Sequence, residues 1–114
     1  MSKYKFKKTD GGAIDANKGK EWIKKWDDKH KGAIRAYFFG TDIIESIINQ
    51  EGAVGMRIYL GYGDEKDPAT GEDRVQMVLV GAREDGTNIW PDAVGKDKPG
   101  GTVADNGYPC PPYC

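Results

Sequence analysis

Apolar positions follow two different periods along this chain, and both stop near residue 91. From Asp15 to Lys31, Trp22, Ile23 and Trp26 recur at helical spacing with His30 one turn on, so this segment is predicted to be an amphipathic helix. Asp15 or Asn17 is placed to cap its start, and Gly32 is placed to end it. Ala33 to Phe39 alternates, with Ile34, Ala36 and Phe38 on one side and Arg35, Tyr37 and Phe39 on the other. Both faces are largely apolar, which predicts an interior strand. Thr41 to Gln50 returns to helical spacing through Ile43, Ile44, Ile47 and Ile48, with Thr41 or Asp42 expected at the cap and Asp42 to Glu45 at capping-box spacing.

The remaining pattern is that of strands. Val54 to Tyr62 places Met56, Ile58 and Leu60 on an expected core face, with Arg57, Tyr59 and Gly61 opposite. A polar loop from Gly63 to Asp73 follows. Arg74 to Arg83 then carries Val75, Met77 and Leu79 on one face and Val78 and Val80 on the other. Asp85-Gly86 is a tight-turn signal, and a short returning strand is expected over Thr87 to Trp90. Tyr4 and Phe6, between lysines, fit either a short edge strand or a frayed end.

These elements predict an α+β fold: a three- to four-stranded mixed sheet with two helices on one face, followed by an irregular Pro/Gly-rich tail. The strand, Ile-rich helix and strand from residue 33 onward could form a right-handed crossover with parallel strands. Residues 1–90 form the expected domain. Residues 91–114, which hold five of the six prolines, form the expected tail, either projecting or wrapped as a loop.

Charge adds polarity to this picture. Residues 1–31 carry ten lysines against five acids, whereas the rest carries seven bases against thirteen acids, for a net charge of −1. Nothing in that balance favours nucleic acid. No apolar run approaches the roughly 20 residues needed to span a bilayer, and no leader pattern is present. The expected setting is cytoplasmic, with no membrane partner.

Candidate chemistry is concentrated in Cys110-Pro-Pro-Tyr-Cys114. Two thiolates across two prolines form a partly rigid clamp for a soft ion such as zinc, or close a small disulfide ring. Two ligands are too few for a closed zinc site. His30 is the one histidine able to add a nitrogen, and a second chain could supply further sulfurs. The acidic loop lacks the register of an EF-hand. Arg35, Arg57 and Tyr59, expected on the sheet face opposite the Ile-rich helix, and Tyr113 in the tail are the candidate interaction surface.

Glu21-Trp-Ile-Lys-Lys-Trp26, Phe38-Phe-Gly-Thr-Asp-Ile-Ile44, Gly55-Met-Arg-Ile-Tyr59, Met77-Val-Leu-Val-Gly81 and the terminal cysteine motif together resemble a group of small uncharacterised bacterial proteins. That group shares this layout and a Cys-Pro-Pro-x-Cys ending. The resemblance implies a bacterial source and no mechanism. With no catalytic constellation in the sequence, the expected function is non-enzymatic, a binding or assembly module working through a protein partner or self-association. The alternative is a thiol-redox or metal function at Cys110 and Cys114.

Overall fold

The computed structural model describes residues 5–91, 102–105, 107–112 and 114. In chain order the elements are α1 (Ala16–Lys29), β1 (Ala36–Phe38), α2 (Thr41–Ile48), β2 (Ala53–Lys66), β3 (Asp73–Arg83), β4 (Asn88–Ile89), β5 (Val103–Ala104) and β6 (Tyr108–Cys110). The class is α+β. The main sheet has four strands: β2 pairs one edge of β3, and β4 and β5 follow one another along the other edge. β1 and β6 form a separate two-stranded ribbon.

The β2–β3 hairpin is the backbone of the fold. Its register pairs Met56 with Gly81, Ile58 with Leu79, Leu60 with Met77 and Tyr62 with Val75. Directly opposed residues share a face, so these eight side-chain positions line one side of the sheet. Both strands run further than their apolar alternation, to Lys66 and from Asp73, so the loop between them is shorter than expected. That loop is closed locally, with Asp67 Oδ1 accepting from Ala69 N at 2.8 Å and Thr70 Oγ1 from Glu72 N at 3.2 Å.

α2 crosses the inner half of this face. Ile47 is fully buried and clusters with Leu79 and Ala104, and Phe39, Ile43 and Met56 pack around them. The crossing is close because residue 81 is glycine. A Cβ there would stand 3.2 Å from the Ile47 carbonyl oxygen and 2.8 Å from Gln50 Nε2. Gln50 then fastens the later chain to the helix: its Nε2 donates to Ile47 O at 2.8 Å and its Oε1 accepts from Thr102 N, just before β5.

Several expectations change. No parallel crossover forms: every strand pairing among the described residues is antiparallel, and β1 lies beside β6 rather than in the main sheet. β1 is therefore an edge ribbon, with Phe38 exposed, and not an interior strand. The segment expected as an irregular tail supplies β5 and β6. α2 is capped by Gly40, which makes no side-chain cap bond, because the short link from β1 starts the helix at Thr41.

The largest change concerns α1. Asp15 caps it as expected, accepting from Lys18 N at 3.2 Å, and Gly32 takes a φ of +80° just beyond it. Yet none of its residues is buried, and it makes no extensive contact with any other element among the described residues. Its connection leads to the β1–β6 ribbon, not to the sheet, while α2 already holds the inner half of the face. Trp22, Ile23 and Trp26 share a side as the periodicity predicts, but that side is 54%, 60% and 43% exposed. Ile58 and Leu60, expected in the core, share the face of Met56 and Leu79 but lie beyond the reach of α2 and are exposed.

Two substitutions test this packing. Gly81→Ala should destabilise the protein by about 1–3 kcal/mol in denaturant unfolding, because a methyl has no room beneath α2. Gly19→Ala should stabilise α1 by about 1 kcal/mol, since its Cβ would only touch Ile14 Cδ1 at 3.4 Å and helix propensity rises. Increased helical circular dichroism would register the gain.

Candidate functional site

Cys110 closes β6 opposite Ala36, and its carbonyl accepts from Arg35 N at 2.8 Å. Cys114 is joined to it as a disulfide across a Cα–Cα distance of 4.8 Å. The Cys110 side is buried against the ribbon, while Cys114 is exposed. In this form neither sulfur is a thiolate, so neither offers a ligand to a metal. His30 is engaged elsewhere: its ring stacks on Trp26 at 4.0 Å, and its Nδ1 lies 2.8 Å from Trp26 O. Among the described residues, no three His, Cys, Asp or Glu side chains converge as a metal set.

The expected arginine surface divides. Arg57 and Tyr59 do lie on the sheet face opposite α2. Arg35 does not join them, because its Nη1 reaches back to Asp27 of α1 at 2.7 Å. Tyr113 and Tyr4 lie outside the described residues.

Around Arg57 and Tyr59 the structure assembles residues that the sequence reading did not select. Arg57 Nη1 donates to Asn88 Oδ1 at 2.7 Å and to Gly86 O at 3.0 Å. Asn88 Nδ2 donates to Tyr59 OH at 2.7 Å. The Arg57 guanidinium also lies over the Phe6 ring at 5.0 Å, and Tyr59 stacks against Trp90 at 6.2 Å. Asn88 was findable. The Asp85-Gly86 turn fixes the register that pairs Ala82 with Asn88, and this puts Asn88 on the Arg57 side. The network is polar and partly exposed, with no nucleophile activated by a base. It orders β4 against β2 and presents an aromatic and cationic surface.

The hydrogen bond from Asn88, followed by Arg57, holds the Tyr59 phenol below its ordinary pKa of 10.0. Nearby, the Thr87 hydroxyl and then its backbone N–H hold Asp85 below its ordinary 3.8.

Among the described residues, exposed apolar side chains group in two places. One is the α1 face of Trp22, Ile23 and Trp26. The other is the outer half of the hairpin, where Ile58, Leu60, Tyr62 and Val75 are exposed side by side, Leu60 and Tyr62 by more than two thirds. Scattered exposed apolar residues are ordinary; contiguous ones mark contact surfaces. Comparison of the chain with protein-family models, with curated proteins and with solved structures found no match.

Two titrations follow. Asn88→Ala should move the Tyr59 pKa up toward 10, read as the phenolate absorbance lost on Tyr59→Phe substitution. For Asp85, the folded protein favours the ionised form. That contribution to stability is present above the unfolded carboxylate's pKa of about 3.8 and is lost as pH falls through the lowered folded value. Asp85→Asn should flatten the pH dependence of unfolding below about pH 4.

Proposed function

We propose that this chain is a small binding or assembly module that acts through protein–protein contacts. The observation that carries the reading is α1, an ordered helix whose tryptophan face no other element covers among the described residues. A helix of 14 residues is marginal in water by itself. This one also carries Gly19 in its interior, at a cost of about 1 kcal/mol relative to alanine. Its own supports are the Asp15 cap and the i, i+4 pairs Lys24–Asp28 and Glu21–Lys25. Exposed pairs of that kind contribute little, so they do no more than offset the glycine. Burying two tryptophans and an isoleucine would stabilise it far more, at about 1.5–3 kcal/mol for each large side chain fully covered. Tryptophans set in a hydrophilic surround are also the residue type that dominates protein contact energies.

The test is retention. Immobilised protein should hold a protein from extract of the source cells, or a second copy of itself, and Trp22→Gln with Trp26→Gln should abolish that retention. Nothing retained by the unchanged protein, together with an inert monomer in native mass measurement, would overturn the reading.

One observation favours a second reading. The disulfide joins a buried residue of the ribbon, Cys110, to an exposed one, Cys114, so an incoming thiolate would attack the Cys114 sulfur and expel Cys110 as the leaving thiolate. This supports thiol exchange over metal binding. A thiol count with and without reductant, and mixed-disulfide trapping in a Cys110→Ser variant, should show a reactive Cys114; a pair that resists glutathione at cellular concentrations removes this reading.

A further inference from the structure

We infer that the partner of the α1 face is a second copy of this chain, with α1 of each molecule lying across the exposed outer half of the other's β2–β3 hairpin. The inference rests on the binding-module reading and names its occupant.

Three observations converge on it. First, the sheet face made by Met56, Ile58, Leu60 and Tyr62 with Val75, Met77 and Leu79 is continuous, and α2 covers only its inner part. The outer part is the continuation of a surface that already takes a helix. Helix on sheet is the layer arrangement that buries both faces.

Second, the charges match. Lys18, Lys25 and Lys29 stand one turn from Trp22 or Trp26 and edge the helix face. Lys18 and Lys29 have no ion-pair partner among the described residues. The end of the hairpin carries Asp64, Glu65, Asp67, Glu72 and Asp73 against Lys66 and Arg74. Asp64 and Glu72 likewise have no ion pair among the described residues. A basic helix therefore meets an acidic hairpin end, and an acidic helix would not fit.

Third, the placement closes. α1 starts its departure beside its own hairpin tip, where a Cβ on Gly32 would touch Ala69 Cβ at 3.5 Å and Ile34 N donates to Asp67 Oδ2. The Arg35–Asp27 pair and the Ala33 N to His30 O turn tie its end to the start of the ribbon, and among the described residues it makes no extensive contact with its own sheet. Two hairpins laid side by side, each acidic end covered by the other molecule's lysine-edged α1, then exchange helices reciprocally and give a two-fold dimer with two identical contacts.

The test measures self-association by sedimentation equilibrium and native mass spectrometry on the full chain. The unchanged protein should dimerise. Trp22→Gln with Trp26→Gln, which keeps helix propensity, and Leu60→Thr with Tyr62→Thr, which keeps strand propensity, should each weaken dimerisation by about 30-fold or more. An equimolar mixture of the two variants should form a mixed dimer, because it restores one intact helix-on-sheet contact. Should either variant fail to fold by circular dichroism, the exposed-charge set replaces it. Lys18→Glu with Lys29→Glu should dissociate the dimer, and Asp64→Lys with Glu72→Lys in the partner should restore it.

A monomer at every concentration up to about 1 mM overturns the inference. So does a dimer indifferent to both variants, or an intramolecular cross-link from α1 to residue 60 within one molecule. Failure here is separable from failure of the broader reading. A monomer that still retains another protein through Trp22 and Trp26 removes the second copy and leaves the module. A monomer that retains nothing removes both.

Discussion

The close passage of α2 over β3 at Gly81 is the contact on which the rest of this fold is built. There the helix carbonyl of Ile47 lies near enough to the strand that a methyl group would intrude. The same contact seals Ile47 over Leu79 and Ala104 and aims Gln50 at the chain entering β5. The helix thus organises two things at once. It buries the inner half of the sheet face directly, and it recruits β5 to the far edge of β3 through a side-chain amide. Loosening the passage would expose the small apolar cluster and release the segment that closes the sheet.

That economy has a limit. One eight-residue helix cannot cover a hairpin whose strands run to 14 and 11 residues. The outer half of the face is left over, and so is the face of α1, which the ribbon connection directs elsewhere. The two leftovers have the complementary characters of a helix stripe and a sheet surface. Folding alone leaves the molecule with a layer begun and not completed.

The sequence was informative wherever the signal was local. Asp15 at the start of α1, the alternation of β2 and β3, and the turn at Asp85-Gly86 could each be read from neighbouring residues, and the α+β class followed. It was uninformative where an element is too short to show a period. β5 and β6, with two and three residues among prolines and glycines, are defined only by the strands they pair with. β1 looked interior because Ala36 and Phe38 alternate with Tyr37 and Phe39, but alternation cannot say which strand lies alongside. Amphipathicity likewise identified the face of α1 and the row Met56, Ile58, Leu60, yet it gives direction and not cover. Of the candidate site, the cysteine pair was legible by its spacing and Arg57 with Tyr59 by their shared parity. Arg35 was misplaced because its partner, Asp27, sits on a different element.

The β1–β6 ribbon has one consequence for how such a chain comes into being. Ala36 pairs with Cys110, so β1 must wait for a strand made much later in the chain. On a ribosome the backbone edge of β1 would emerge early and stay unpaired while α2, the hairpin and β4 are synthesised and gathered around Gly81. Local contacts form first and distant ones late. Of the described strand pairings the ribbon is therefore the latest to close, and until it does the nascent chain carries an unguarded strand edge beside the tryptophans of α1.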